Sequence, residues 1–191
     1  MNKNLPLSNI VVLDLTNVLS GPFATQILSD LGAEIIKVEK PNGDDSRKFG
    51  PFIKKRSSYF ISLNRGKKSI VVDFNNEEDK KIFKKLLAIS DVIIDNFKPG
   101  TLEKYGFSSS YLKKNFPLLI QTKISGFGET GPLKENPAYD MIVQAMGGIM
   151  SITGKDKNET YRVGSSIGDI VAGLYAVIGV LTQIIYRNKS K

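Results

Sequence analysis

The chain has 191 residues, enough for one domain or slightly more, and its 41% hydrophobic and 24% charged composition is typical of a globular protein. It contains no cysteine and no histidine, which excludes disulfides, thiolate nucleophiles, His-ligated metals and Ser-His-Asp triads within this chain. Any chemistry must therefore use carboxylates, Lys, Tyr, Ser or backbone amides, and we assign no metal site.

The formal charge of +8 favours anionic ligands such as phosphates and nucleotides. The basic residues are mostly lysines spread along the chain, and no basic cluster is interleaved with aromatic residues. Solvated lysine faces therefore explain the charge better than nucleic-acid binding does. Residues 1–8 are polar and no apolar segment follows a basic start, so we expect no signal peptide and a cytoplasmic location, with which the lack of cysteine is compatible.

The first apolar run, Asn9–Leu15, is typical of a buried parallel strand. Ser20-Gly21-Pro22 forms a turn whose proline suits the first helical position. Apolar residues at helical spacing then predict a helix over Phe23–Leu31, which Gly32 ends. Glu34–Glu39 predicts the next strand and completes a βαβ unit.

Glu39 closes this second strand, where dinucleotide-binding folds place the acid that holds a ribose hydroxyl. The glycine-rich turn of those folds is missing, because only Gly21 is present. A dinucleotide-dependent oxidoreductase is therefore a weak alternative.

Strands and helices continue to alternate along the rest of the chain. Three more apolar runs predict strands over Ser69–Phe74, Asp91–Phe97 and Leu118–Ile124. Helices are predicted from a cap at Asn75 or Asn76 to about Ser90, around Leu102, around Tyr111 with a cap within Ser108–Ser110, and over residues 138–151. The polar residues 42–56 are expected to form an exposed loop.

This alternation predicts an α/β fold with a doubly wound, mainly parallel sheet and helices on both faces, of the Rossmann-like type. In such folds ligands bind at the carboxyl ends of the strands. Three of the predicted turns lie at such ends: Ser20-Gly21, Asn96-Phe97 and Ser125-Gly126.

The last predicted helix starts after Gly164-Ser165-Ser166, where Ser165 or Ser166 can cap it, and carries Asp169 in its first turn. Asp169 is the only charged residue between Arg162 and Arg187, and small residues share its face, so a ligand could approach it closely. An aspartate at this position is more often a cap or a partner of the helix dipole. The apolar stretch Ile167–Tyr186 also has the length of a membrane span, but Asp169 and three glycines favour a buried helix, and we expect no membrane contact.

A series of motifs in fixed order resembles the N-terminal part of the family III coenzyme A transferases, the CaiB/BaiF and formyl-CoA transferase type. The resemblance covers nearly the whole chain and rests on order and spacing rather than on any single motif. The motifs are Leu19-Ser20-Gly21-Pro22-Phe23-Ala24, Leu31-Gly32-Ala33-Glu34-Ile35-Ile36-Lys37-Val38-Glu39, Leu63-Asn64-Arg65-Gly66-Lys67-Lys68-Ser69-Ile70, Asn96-Phe97-Lys98-Pro99-Gly100, Ser125-Gly126-Phe127-Gly128, Ala138-Tyr139-Asp140 and Gly168-Asp169.

The resemblance implies that Asp169 is the catalytic nucleophile, with Asp140 as an acidic residue near it. Asp169 would attack an acyl-CoA thioester to give a mixed anhydride, and the thiolate would return to form an aspartyl-CoA thioester. Coenzyme A would be the co-substrate, and an acyl-CoA and a small carboxylic acid would be the reacting partners. Asp140 has an equally good structural interpretation as a carboxylate at the start of a helix.

The resemblance also assigns a CoA groove to the turn Leu19, Ser20 and Gly21, to Lys40 near the adenosine phosphates, to Lys67, and to Asn96, Phe97 and Lys104. Each lysine taken alone is more often a solvated surface charge. The racemase branch of the family has a histidine where this chain has Tyr139, which favours a transferase over a racemase.

Members of this family are considerably longer and form interlocked homodimers. We therefore interpret residues 1–191 as the N-terminal part of the large domain, and we expect the small second domain and the glycine-rich active-site loop to be absent from them. A truncated, non-catalytic CoA-binding fragment and an acyl-CoA racemase remain the alternatives to a transferase.

Overall fold

The computed structural model describes residues 5–156 and 158–189, so residues 1–4 of the predicted polar N-terminal segment and both ends of the predicted 1–191 domain lie outside it. In chain order the strands are β1 (Val11–Asp14), β2 (Glu34–Glu39), β3 (Phe52–Ile53), β4 (Arg56–Ser57), β5 (Lys68–Val71), β6 (Val92–Asp95), β7 (Ile120–Lys123), β8 (Gly154–Asp156) and β9 (Glu159–Thr160). The helices are α1 (Ser20–Asp30), α2 (Ser58–Asn64), α3 (Glu77–Ile89), α4 (Thr101–Lys104), α5 (Ser109–Asn115), α6 (Asp140–Met146) and α7 (Ile167–Lys189).

Five strands form one sheet in the order β5-β2-β1-β6-β7, and every neighbouring pair in it is parallel. The chain moves outward from β1 through β2 to β5, and then returns to the other side of β1 at β6. This reversal is the switch point at which doubly wound sheets leave a crevice beyond the strand ends. The predicted parallel sheet is confirmed, and each of its five strands was predicted.

Two apolar layers cover the sheet, one on each face. Ala24 and Leu28 of α1 pack with Val177 and Val180 of α7 on one side. Phe83 of α3 and the residues around α4 and α5 pack on the other side. The predicted placement of helices on both faces is therefore confirmed, and the longest helix, α7, packs against α1 and β7.

Local signals set most element boundaries. The side chain of Asn76 accepts the Glu78 N–H, and that of Ser108 accepts the Tyr111 N–H, as caps predicted from the sequence. The first helix begins at Ser20 rather than beside the proline, so Pro22 is its third residue, still within the turn that leaves its N–H groups free.

Two predicted segments differ from the structure. The helix predicted over residues 138–151 stops at Met146, because Gly148 adopts a left-handed backbone with φ of 81° and starts a 3₁₀ helix over Ile149–Ile152. The predicted exposed loop over residues 42–56 contains a 3₁₀ helix over Asp45–Lys48, and both Asp44 and Ser46 are buried.

The long helix α7 is buried along one stripe only. Gly173 faces α1 so closely that a Cβ there would lie 2.7 Å from Ser20 O. The opposite side exposes large apolar residues, among them Leu174, Tyr175 and Ile178. The prediction of a buried helix therefore holds for one face. By length and composition alone, α7 is the one helix in the described part of the chain that could cross a membrane.

Candidate active site

A cavity of about 890 Å³ opens at the switch point of the sheet. This volume is within the usual range of small-molecule and cofactor sites, about 300–1,000 Å³. The loops after β1, β2, β6 and β7 line it, as do the starts of α6 and α7. The lining includes residues 15–20, 38–40, 43–45, 96–99, 124–126, 136–140 and 168–169.

Seven of the predicted site residues line this cavity, and three do not. Those that line it are Leu19, Ser20, Lys40, Asn96, Phe97, Asp140 and Asp169. Gly21, Lys67 and Lys104 lie outside the lining.

Asp169 lies in the first turn of α7, and its carboxylate is partly withdrawn from solvent. Burial, and after it the charge of Asp140, raises the pKa of Asp169 from 3.8 to about 6. A carboxylate that is ionised at neutral pH yet poorly solvated suits the role of a nucleophile at a thioester. Ala172 also lines the cavity one turn along, which leaves room beside the carboxylate.

The start of α7 is capped from another part of the chain. Oδ1 of Asp140 accepts the Gly168 N–H at 2.8 Å, whereas the sequence predicted a cap from Ser165 or Ser166. Oδ2 of Asp140 accepts a hydrogen bond from Nε2 of Gln144 at 2.6 Å. Asp140 is therefore both a residue at the start of α6 and the acidic neighbour of Asp169, and it is linked to Asp169 through the Gly168 backbone.

The loop after β1 carries a strained residue. Val18 has φ of 68°, a conformation rare for a β-branched side chain, which costs about 1–3 kcal/mol. Its neighbour Asn17 is held from the side of β6, because Oδ1 of Asn96 accepts the Asn17 N–H at 2.9 Å and Nδ2 of Asn96 donates to Asn17 O at 2.8 Å. Asn96 thus lines the cavity as predicted while its amide holds the loop.

A buried ion pair supports the same loop from below. Lys37, on β2, has a side chain only 1% exposed, and its Nζ lies 2.9 Å from Oδ2 of Asp44. The same ammonium donates to Thr16 O at 2.8 Å. Lys37 therefore ties the loop after β1 to the loop after β2, and both loops line the cavity.

Lys67 lies beneath α1 rather than beside the cavity. Its ammonium contacts four oxygens, from Asp14, Pro22, Thr25 and Asn64, at 2.8–3.1 Å. Burial lowers the pKa of Lys67 to about 8. The structure does not place this lysine where it could contact CoA, because its donors are already used inside the fold.

The other two residues outside the lining have different surroundings. Lys104 is exposed at the end of α4. Gly21 packs against the loop after β1, since a Cβ at this position would lie 2.2 Å from Cβ of Thr16. Gly21 therefore shapes the turn through its missing side chain.

The carboxylate of Glu39 is not available to bind a ribose hydroxyl, because other residues already donate to it. Arg47 donates to both of its carboxylate oxygens at 2.6–2.7 Å, and Ser69 Oγ and Asp44 N–H donate as well. Burial opposes ionisation, but these donors lower the pKa of Glu39 to about 2. The contacts that a ribose hydroxyl would need are occupied, which counts against the dinucleotide alternative.

A cleft of this size, lined by a half-buried aspartate, fits the family that the motifs suggested. CoA-transferase family III matches residues 7–191, and the chain belongs to this family. It is 45% identical over 187 residues to the acetyl-CoA:oxalate CoA-transferase of Acetobacter aceti, covering 97% of this chain and 48% of that protein. It is 42% identical over 192 residues to the human succinyl-CoA:glutarate CoA-transferase, covering 100% of this chain and 44% of that protein.

Solved structures show the same likeness. The crystal structure of a CaiB/BaiF family protein from Brucella suis matches with a TM-score of 0.94 and 44% identity, covering 98% of this chain and 51% of that one. The chain therefore spans about half the length of the relatives that it matches.

Sequence reasoning missed four residues that build the site: Asn17, Lys37, Asp44 and Gln144. Lys37 could have been noticed in the sequence, because it is a lysine inside the apolar run of β2. Nothing in the sequence distinguishes Gln144 from the other residues of its predicted helix. The partners of these residues come from other elements of the fold.

Proposed function

We propose that this chain supplies the CoA cleft and the nucleophile of an enzyme that transfers coenzyme A between carboxylic acids, with Asp169 as the nucleophile. The observation that supports this most is the position of Asp169 at the end of the cavity, with a pKa raised to about 6 and small residues around it. The two relatives described above are CoA-transferases by name, which supports the same reaction class.

The chemistry needs no group other than the carboxylate and the two substrates. The carboxylate of Asp169 attacks the thioester carbon of the acyl-CoA. The C–S bond breaks, which releases the CoA thiolate and forms an acyl-aspartyl anhydride. The thiolate then attacks the aspartyl carbonyl, which releases the donor acid as a carboxylate and forms an aspartyl-CoA thioester. The acceptor carboxylate repeats both exchanges in reverse order, and Asp169 returns to its free form.

The cavity wall suggests how CoA is held. The loop Asn17–Ser20 lines the cavity at the strand ends, and Lys40 lies at the exposed rim, paired at 2.7 Å with Asp45. A phosphate of CoA can exchange with Asp45 for this lysine at little cost, because exposed ion pairs contribute only about 0–1 kcal/mol. Phe97 offers an apolar surface beside the loop.

Small dicarboxylic acids are the proposed substrate class. The names of the relatives pair CoA with oxalate, glutarate, mesaconate, citramalate or malate. We further propose that the active unit includes the smaller second domain and is an interlocked homodimer. The exposed apolar surface of α6 and α7, which includes Met141, Met146 and Tyr175, is consistent with such a covering.

The test is Asp169→Asn in the chain assembled with its second domain. A neutral amide cannot form the anhydride, so we expect CoA transfer from succinyl-CoA to fall by at least about 10³-fold. Hydroxylamine added with succinyl-CoA should convert Asp169 to a hydroxamate, detected by mass spectrometry. Glu159→Gln, at an exposed carboxylate on β9, is the control and should transfer normally. Full transfer by Asp169→Asn would exclude this nucleophile.

A further inference from the structure

We propose that Gln144 is a positioning residue for the nucleophile, because its carboxamide joins Asp140 to the loop that precedes Asp169. This inference rests on the proposed function of Asp169. It concerns a residue with no polar contact to the nucleophile's own side chain, and no motif in the sequence marks it.

The contacts of Gln144 form one continuous chain of hydrogen bonds. Its side chain is fully buried, its Oε1 accepts the Val163 N–H at 2.7 Å, and its Nε2 donates to Oδ2 of Asp140 at 2.6 Å. Nε2 also makes longer contacts of 3.4 Å with Val163 O and Ser165 O. Oδ1 of Asp140 then accepts the Gly168 N–H at 2.8 Å. The chain therefore begins and ends on the backbone, five residues apart on either side of the turn that introduces Asp169.

The direction of these bonds fixes the chemistry at residue 140. Val163 and Gly168 are both backbone donors, so the two side chains between them must present three acceptors and one donor. A carboxamide followed by an ionised carboxylate meets this requirement, with the carboxylate accepting at both oxygens. Asp140 and Gln144 are four residues apart on α6, which places both side chains on one face of the helix.

The arrangement holds a negative charge at a fixed place beside the nucleophile. Gly168 packs closely against α6, since a Cβ on it would lie 3.1 Å from Oδ1 of Asp140 and 3.2 Å from Cγ1 of Val143. Without the Gln144 donor, the buried carboxylate of Asp140 loses a charge-assisted hydrogen bond and is free to turn from Gly168. The first turn of α7 would then lose its cap, and Asp169 would lose its fixed position.

The test exchanges the charge between the two positions. Gln144→Glu places two carboxylates face to face, and Asp140→Asn places two donors face to face, so each single variant breaks the chain. In the double variant, Gln144→Glu with Asp140→Asn, the introduced carboxylate accepts from the Val163 N–H and from the introduced amide. The oxygen of that amide still accepts the Gly168 N–H. The three bonds between the Val163 and Gly168 backbones are matched again, with the charge farther from Asp169, and only the long contacts of Nε2 to Val163 O and Ser165 O, both 3.4 Å, are lost.

Amide hydrogen exchange of Val163 and Gly168, measured by NMR on the 191-residue chain, is the first readout. We expect each single variant to speed exchange by about tenfold or more, as for loss of one buried hydrogen bond, and the double variant to stay within about threefold of wild type. Carbon-13 titration of the Asp169 carboxyl is the second readout. Its midpoint should fall in the double variant, because the like charge has moved away.

Gln26→Leu is the matched control. Gln26 is also a buried glutamine whose Nε2 donates to an aspartate four residues away, Asp30, at 3.1 Å, but it lies on α1 outside the cavity lining. This variant should leave the exchange of Val163 and Gly168 and the titration of Asp169 unchanged.

In the assembled enzyme, the single variants should lower kcat by about tenfold or more while the KM for succinyl-CoA stays within about twofold, since positioning acts on the reacting groups rather than on binding of the CoA moiety. The inference is overturned if the single variants match Gln26→Leu in both NMR readouts, or if the double variant exchanges as fast as the worse single one. These readouts do not depend on transfer, so a failure of Asp169→Asn to abolish activity would contradict the proposed function separately.

Discussion

The substitution Lys37→Met tests whether the buried ion pair of Lys37 and Asp44 stabilises the fold and joins the loops after β1 and β2. Methionine matches the apolar part of the lysine and removes only the ammonium. Oδ2 of Asp44, 2.9 Å from that ammonium, would remain in a site where the side chain is only 1% exposed. Thr16 O would lose its donor at 2.8 Å as well.

The expected loss follows from the burial of both partners. Removing one partner of a buried ion pair costs about 3–5 kcal/mol, because the remaining charge is left without compensation. Asp44 keeps some support, since its Oδ1 accepts from Ser46 N at 2.8 Å and Ser46 Oγ at 2.6 Å. We therefore expect a loss near 3 kcal/mol, a large part of the about 5–15 kcal/mol that stabilises a typical domain.

Urea unfolding followed by far-ultraviolet circular dichroism measures this loss, since the chain has no tryptophan. With a slope of about 2 kcal/mol/M, the midpoint should fall by about 1.5 M. Lys68→Met is the control on the neighbouring strand β5, because Lys68 pairs with Glu34 at 2.6 Å while 65% exposed. Its loss should be about 0–1 kcal/mol.

The double variant Lys37→Met with Asp44→Asn should recover at least about 1 kcal/mol of the loss, because no charge is then buried unpaired while residue 44 still accepts from Ser46. A Lys37→Met protein as stable as Lys68→Met would refute the reasoning. A double variant less stable than Lys37→Met alone would contradict it equally.

Two further predictions concern the cavity. Asn96→Asp puts a carboxylate oxygen against Asn17 O, where an amide now donates at 2.8 Å, so the affinity for CoA should fall by about tenfold. Calorimetry measures this affinity, and Asn115→Asp is the control, because it breaks a similar side chain-to-backbone bond on α5 and should bind CoA normally. An equal loss of affinity in both variants would count against a specific role for Asn96. The second prediction follows from the pKa of Asp169, which folding raises from 3.8 to about 6. Between these two pH values the Asp169 carboxyl is more protonated in the folded protein than in the unfolded chain. Stability relative to Asp169→Asn should be greatest below about pH 4, decline as the pH rises to about 6 and stay level above, and a difference independent of pH would show that Asp169 is not perturbed.

The sequence by itself determined the elements of the fold. Apolar runs such as Glu34–Glu39 and caps such as Asn76 and Ser108 act within a few residues of chain, and the structure has them where local chemistry predicted them. Strand–helix alternation without tight hairpin signals was also sufficient for a parallel sheet, because parallel strands need a crossover between them. The motif and its isolation in an apolar stretch were also sufficient to select Asp169 as a candidate, and the structure places it in the cavity lining.

Only the tertiary structure decided which polar residues face the cavity. Asn17 and Asn96 are 79 residues apart and meet because β1 and β6 are neighbours, a strand order that no local period reports. The same order buries Lys67 under α1. It also places Lys37, within an apolar strand, against Asp44 of the predicted exposed loop. The periodicity of the sequence shows on which face of its helix or strand a side chain lies. The residue that it contacts depends on which other elements pack against that face. Polar residues must find such partners once they are buried, and so the site was decided by packing.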